Sequence, residues 1–376
     1  MQILAVDVGT GTQDILLFDS ERDPENCLKM VMPSPTLLVA GQIRRATAER
    51  RGLVLTGVTM GGGPSAWAVK DHYKAGLPIY ATPDAARSFN DDLEVVQRDL
   101  GVQIVSDDEA IKLAGRNGFA HVEMRDLDYP AIRSSFVAFG VDLHPDALAV
   151  AVFDHGNAPP TVSDRQFRLD YLAKRLRENP WFSTFAFRAD TIPEAMTRLR
   201  AVADTAIRQS GLPVYVMDTA PAAILGALDD PLVRAQPNAQ IVNVGNFHCL
   251  AFQLGDGQIA RLFEHHTGLL DRAHLERWLL ALADGSITHE QVFAEHGHGA
   301  LILDPTPRPL HFLAVTGPRR SLLFDSKLPL HLAVPHGDQM MAGCFGLIRA
   351  VADLEPNWAD LIATALNGGH RGRSLW

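Results

Sequence analysis

The run ILAVDVGTGTQDILLFD, residues 3–19, constrains this chain more than any other stretch. Two apolar segments flank Asp7, Gly9, Thr10, Gly11 and Thr12, a spacing that predicts two buried strands joined by a tight turn. A carboxylate at the end of a buried strand, followed by small and hydroxyl residues, suits a magnesium nucleotide. Backbone N–H groups can approach the phosphates while the acid orients the metal's waters. The same Asp7 could instead simply pin its own turn, so the reading depends on matching segments later in the chain.

The remaining pattern is α/β. LVLTGVTMGGGPSAWAVKDHYKAGLPIYATPDAARSFNDDLEVVQRDLGVQIV reads as strands alternating with helices, with Thr82 and Pro83 opening one helix and Gly101 closing the next. Such alternation implies a parallel sheet. Ahead of it, Asp23 to Pro35 reads as a polar, proline-containing connection. LAVAVFDHG gives a strand ending at Asp154 and His155, and SDRQ at 163–166 is a capping box that starts a helix. In TIPEAMTRLRAVADTAIRQSGLPVYVMD, Thr191 and Glu194 are expected to cap a helix. Met196, Leu199, Ala203 and Ile207 share its inner face, Gly211 ends it, and a strand then delivers Asp218.

A polar link at 229–238 precedes a restart. IVNVGNFHCLAFQLGDGQIARLFEHHTG predicts three antiparallel strands turned at Gly255, Asp256 and Gly257. DRAHLERWLLALADG is an amphipathic helix with Leu275, Trp278, Leu279 and Leu282 inward. HFLAVTGPRR is a strand with a glycine turn, and GDQMMAGCFGLIRAVADL is read as the final helix. A hairpin with a glycine turn thus opens each half.

With 376 residues and 47% hydrophobic content the chain can bury more than one core. A net charge of −10 without Lys/Arg runs argues against nucleic acid as partner. No apolar run reaches the roughly 20 residues of a spanning helix, so no membrane partner is expected. The start MQILAVDVG has no leader pattern, and Cys27, Cys249 and Cys344 are scattered, so a cytoplasmic location is expected. The expected partner is a small-molecule substrate, with a homodimer as the candidate assembly.

In this order, the motifs resemble the actin, sugar-kinase and heat-shock chaperone ATPase superfamily. DVGTGTQD (7–14) looks like its first phosphate motif, MDTAPAAILGAL (217–228) like its first connecting helix and NVGNFH (243–248) like its second phosphate motif. AVTGPRR (314–320) looks like its adenosine motif and GDQMMAGCFGL (337–347) like its second connecting helix. The resemblance implies two ribonuclease-H-like lobes closing on ATP and Mg, with an inserted α/β segment. The expected domains are lobe I at 1–230, lobe II at 231–336, and a C-terminal helix at 337–376 returning to lobe I. Nucleotide contacts would come from Gly9, Thr10, Gly11, Thr12, Asn243, Gly245, Asn246, His248, Thr316 and Gly317.

Where the chaperone-like second motif begins with aspartate and carries a glycine pair and threonine, this chain has Asn243, Asn246, Phe247 and His248. Asparagine adds no negative charge near Mg, so the ion is expected on Asp7 and Asp218. Asp218 could alternatively cap TAPAAIL. The expected activity is a phosphotransferase or ATPase. The alternatives are a nucleotide-dependent switch without turnover and a metabolite-binding protein whose nucleotide site has decayed.

Three further groups are candidates. Gly61, Gly62 and Gly63, between a strand and a helix, could hold a substrate anion or could form a flexible turn. Asp154 and His155 could act as base at a strand end, or be turn residues ahead of Pro159 and Pro160. Arg165 and Arg168 could clamp an anion, or be solvated. His265-His266 and His296-Gly-His298 are the densest histidine spots, but adjacent strand histidines point to opposite faces and neither matches a known metal spacing.

The whole chain, including TMGGGP, ATPDAA, FDHG and SDRQFR, also resembles a prokaryotic family labelled "putative pyruvate formate-lyase activating enzyme". That label implies a radical iron–sulfur enzyme. Such clusters take several thiolates from a short loop, which three distant cysteines do not form, so this activity is not expected.

Overall fold

The computed structural model describes residues 1–369. The predicted hairpin is formed by β1 (Gln2–Val8) and β2 (Thr12–Asp19), and β2 continues antiparallel into β3 (Leu28–Pro33). β3 falls inside the stretch read as a polar connection. It is an edge strand, LKMVMP, with Leu28 and Met30 against the core and Val31 and Met32 exposed; its short apolar run is set among the polar and proline residues of 23–35. An all-parallel inserted sheet follows, built from β4 (Gly52–Gly57), β5 (Ile79–Ala81), β6 (Val102–Ile104) and β7 (Phe119–Met124) in the order β6-β5-β4-β7.

The chain then returns to the first sheet with β8 (Ala147–Val152), β9 (Ala186–Arg188) and β10 (Val214–Asp218), giving the order β3-β2-β1-β8-β10-β9. β8 is paired on both sides and buried on both faces, which explains its unbroken apolar sequence ALAVAV. The second large sheet contains β11 (Gln240–Val244), β12 (His248–Gly255), β13 (Gln258–His266), β14 (Gly299–Ile302), β15 (Leu313–Thr316) and β16 (Leu330–Leu332). Its order is β14-β13-β12-β11-β15-β16.

The two large sheets repeat one plan. In each, three antiparallel strands form a meander, and the first of them pairs in parallel with a strand that arrives by a crossover. This is the two-lobed, ribonuclease-H-like arrangement with an α/β insertion. Side chains alternate along β1: Ile3 and Ala5 enter a core shared with Ile241, Leu250 and Phe252 of the second lobe, while Leu4, Val6 and Val8 face the outer helices of the first. Asp7 follows the odd-numbered set and therefore points toward the cleft.

Helices Thr219–Ala227 and Ala342–Leu354 cross between the sheets. A Cβ on Gly226 would lie 1.8 Å from the Ala342 carbonyl oxygen, and one on Gly346 would lie 1.8 Å from that of Ala222. Only glycine permits this approach.

Two helix expectations need correction. The helix before β10 begins at Thr197, because residues 189–191 form a separate 3-10 turn, and Ile207 on that helix is exposed. Helix Ala342–Leu354 is followed by another, Pro356–Leu366, so it is not the last. Residues 370–376, the end of the expected C-terminal segment, lie outside the described residues. Among the described residues no helix is long and apolar enough to cross a membrane.

Candidate functional site

A cavity of about 390 Å³ lies where the two lobes and the inserted segment meet. Its lining brings together Asp7, Gly9, Thr10, Gly11 and Thr12 from the first hairpin, Asn243, Gly245, Asn246 and His248 from the second, and Thr316 and Gly317 at the end of β15. Gly61, Gly62 and Gly63 close it from the inserted segment, and Asp154 and His155 from the end of β8. The hairpin turns nearly touch: a Cβ on Gly11 would lie 3.1 Å from the Asn246 side-chain nitrogen.

The first turn is held by Gly9 N–H donating to the Thr12 carbonyl at 2.9 Å, and the Ser34 hydroxyl donates to the Thr10 carbonyl. Gly317 has φ +96°, and a Cβ there would meet the Asn243 side-chain oxygen at 2.4 Å. These glycines let the turns approach one another and leave the space between them open.

The electrostatic centre is a pair of carboxylates. Asp7 and Asp14 are direct cross-strand partners and share the cleft face of the hairpin. Burial pushes each up to about 7, partly opposed at Asp7 by the Thr219 hydroxyl, which donates to its Oδ1 at 2.5 Å, and reinforced at Asp14 by Asp7. Asp14 Oδ1 is buried without a hydrogen-bond partner. Asp14 was not singled out from the sequence, although the hairpin register would have found it: with the turn at Gly9–Thr12, the strand partner of Asp7 is Asp14.

Asp218 is placed differently from its expectation as a metal ligand. It is absent from the cavity lining; its Oδ2 accepts from Arg168 Nη1 at 2.7 Å and its Oδ1 caps the Ala220 amide. Arg168 is not solvated either. It is 2% exposed and bridges Asp218 to Glu264 of the second lobe, with its Nε 2.6 Å from Glu264 Oε2. Arg165 donates to the Phe293 and Gly297 carbonyls, so both arginines join lobe I to lobe II.

The Gly61–Gly63 turn is tightly built rather than loose. Cβ atoms there would meet the Arg198 guanidinium, the Ser88 carbonyl and the Phe247 ring at 2.6, 2.7 and 2.7 Å respectively. Arg198 lines the cavity but is held by both oxygens of Asp126 and by the Phe153 carbonyl. Both carboxylate oxygens of Asp154 accept backbone N–H groups, from Gly156 and Leu199 at 2.8 Å. His155 keeps its ring in the cavity near Asp91 and Asp164. Burial opposes its charge, but Asp91, Asp154 and Asp164 raise it above the usual histidine value.

At the second hairpin, His248 stacks on Phe153 with ring centroids 3.9 Å apart, and its Nδ1 lies 3.0 Å from Glu264 Oε1. Burial opposes ionisation of Glu264, but Arg168, His298 and His248 hold it well below the usual carboxylate range. His266 and His298 close a ring-to-ring cluster with His248. Burial pushes His266 down to about 4 and His298 down to about 3, so both are neutral at physiological pH.

The three cysteines are all buried, and burial raises each thiol. Among the described residues, neither group of three or more metal-ligating side chains contains a cysteine.

The chain has low-level similarity to a number of solved structures. A putative N-acetylmannosamine kinase from Listeria monocytogenes is 10% identical, with 94% of this chain and 100% of that one covered and a TM-score of 0.36. The ROK hexokinase from Thermus thermophilus is 11% identical over 94% and 100%, with a TM-score of 0.31. A ROK family transcriptional regulator, described as a homolog of the E. coli MLC protein, is 10% identical with a TM-score of 0.27. The match covers 69% of this chain and spans only 37% of the regulator's length. The fold described above rests on the strand orders and not on these likenesses.

No curated protein matches the chain. One family profile matches residues 60–322, which covers the inserted segment after β4, the strands β8 to β10 and most of lobe II. The chain therefore belongs to the family described as "Putative pyruvate format-lyase activating enzyme (DUF1786)".

Proposed function

We propose that the protein binds Mg-ATP in the cavity between its lobes and acts as a small-molecule phosphotransferase or ATPase. The observation that carries this reading is the meeting of two glycine turns, one from each copy of the repeated sheet plan, beside a buried pair of carboxylates. The N–H groups of Thr10 and Gly11 and of Asn246 and Phe247, at the tips of turns closed by the Gly9 and Gly245 amides, suit phosphate oxygens, and Thr316-Gly317 suits the nucleoside end. Asp7 and Asp14 are hard oxygen ligands without a cationic partner, a donor set that fits Mg. When bound, the ion would neutralise phosphate charge during transfer.

The acceptor side is assigned to Gly61–Gly63 and His155. Asp154 is engaged by its own turn through Gly156 N–H and by the first turn of helix Thr197–Ser210 through Leu199 N–H, which leaves His155 as the base. In this reading residues 1–230 form lobe I with the insertion, 231–336 form lobe II, and the helices after 337 return to lobe I. A cytoplasmic location and a small-molecule partner belong to the same proposal.

Calorimetric titration of the purified protein with Mg-ATP tests the reading. Saturable binding that weakens in Asp7→Asn supports it, and no saturable binding overturns it. A second reading, a nucleotide-dependent switch without turnover, is favoured by Asn243, where the chaperone-like motif has an acid, and by His248, where it has a threonine. Steady phosphate release separates the two.

The family description does not fit the residues as a radical iron–sulfur enzyme. Buried, separated thiols with raised proton affinity offer no converging set of thiolates, and no step is assigned to such a cluster.

A further inference from the structure

We propose that His248, His266 and His298 form a binding site for one divalent transition-metal ion of the zinc class. The candidate ligand atoms of the three side chains all lie within 4.8 Å of one another. They come from one end of the second sheet. His248 begins β12, His266 ends β13 as its cross-strand partner, and His298 sits just before β14 with its amide bonded to the Glu264 carbonyl at 2.9 Å. Strand alternation sends His265 to the opposite face, which is why the sequence pair His265-His266 hides the cluster.

Two features separate this group from a packed core cluster. His298 is 3% exposed, yet neither of its ring nitrogens has a hydrogen-bond partner. A buried imidazole left with two unsatisfied nitrogens is costly unless something else occupies them. In addition, Glu264 holds His248 through Nδ1 and leaves Nε2 free, while Arg168 fixes the other Glu264 oxygen. A carboxylate that orients the far nitrogen of an imidazole is a recurring support for a metal-bound histidine.

The ligand chemistry selects the ion. Three imidazoles without carboxylate or thiolate suit zinc and its neighbours, whereas Mg²⁺ and Ca²⁺ demand oxygen. Three protein ligands leave a tetrahedral ion one position for water or substrate. His248 also lines the cavity, so the site adjoins the proposed nucleotide site but uses none of its carboxylates. The inference goes beyond the nucleotide reading and stands if that reading fails.

The test is titration of untagged, chelator-treated full-length protein with Zn²⁺ against a chromogenic competitor, with Co²⁺ as spectroscopic probe. Expected results are one submicromolar Zn²⁺ site per chain and a visible ligand-field band of tetrahedral Co²⁺, neither reproduced by Mg²⁺. His266→Ala, at a half-buried position where folding can be confirmed by circular dichroism, should weaken binding by roughly 100-fold, and Glu264→Gln by about tenfold. His274→Ala, on an exposed helix surface, should leave binding unchanged. Absence of a stoichiometric site in the unmodified protein overturns the proposal, as does Zn²⁺ binding that survives His266→Ala or is lost in His274→Ala.

Discussion

Asp7 and Asp14 show what a single cross-strand register can impose. Burial pushes both carboxyls up to about 7 in the folded chain from an ordinary value of 3.8, with nearby negative charge adding to it, from Asp218 at Asp7 and from Asp7 at Asp14. Between those values the folded state retains protons that the unfolded chain has lost, so stability falls as pH rises through the window. Below about pH 6.5 the neutral, buried His266 and His298 work in the opposite sense, so the thermal midpoint of the ligand-free protein should decline from about pH 6.5 to about pH 8, and Asp14→Asn should flatten the decline. A midpoint that rises over this range would contradict the buried pair. Mg-nucleotide, if it binds here, should raise the midpoint most at the alkaline end.

Asp7 was legible in the sequence because an apolar strand and a glycine turn frame it. Asp218 has nearly the same frame, yet its carboxylate meets Arg168. Strand-end acids look alike in sequence, and only the far partner, 50 residues away on another element, distinguishes them.

The crossing of helices Thr219–Ala227 and Ala342–Leu354 is where single atoms decide packing between elements. Gly226→Ala or Gly346→Ala would force a methyl into a backbone carbonyl, and each should lower stability by about 1–3 kcal/mol, measurable by denaturant unfolding. An unchanged unfolding midpoint would mean that the helices can separate at no cost. Gly317→Ala combines a positive φ with contact against Asn243 and Val244, so it should weaken nucleotide binding as well as stability.

Most elements could be read from period and caps. Examples are the three strands after residue 239, the helix Arg272–Asp284 with its inward Leu275, Trp278, Leu279 and Leu282, and the left-handed cap at Gly211. β3 was missed although Leu28, Met30 and Met32 alternate along it, because the run is only six residues long and lies between Asp23-Pro24 and Pro33-Ser34-Pro35, which read as a connection. The start of the helix at Thr197 was misplaced because a 3-10 turn carries the same cap-like residues as a helix beginning.

At the scale of the whole molecule, lobe I grips lobe II through the helix Asp164–Glu178. Arg165 reaches the carbonyls of Phe293 and Gly297, Gln166 meets His289, and Arg168 joins Glu264. Arg168→Met would leave Asp218 and Glu264 buried without their cation and should cost about 3–5 kcal/mol in chemical unfolding. A loss below about 1 kcal/mol would show that the bridge is hydrated in solution. The duplicated plan of the two sheets was visible in the sequence as two glycine hairpins, but the clasp between them was not. Helical spacing alone places Arg165 and Arg168 on a surface without saying that the surface is covered.

Gly343, whose absent side chain makes room for the Asp7 carboxylate, belongs to a helix that enters the first lobe only after all of lobe II has been traversed. During synthesis, then, the earliest strand waits for one of the last helices: the wall behind Asp7 stays unfinished until more than 330 residues have left the ribosome, and the cleft cannot mature piecemeal from its beginning.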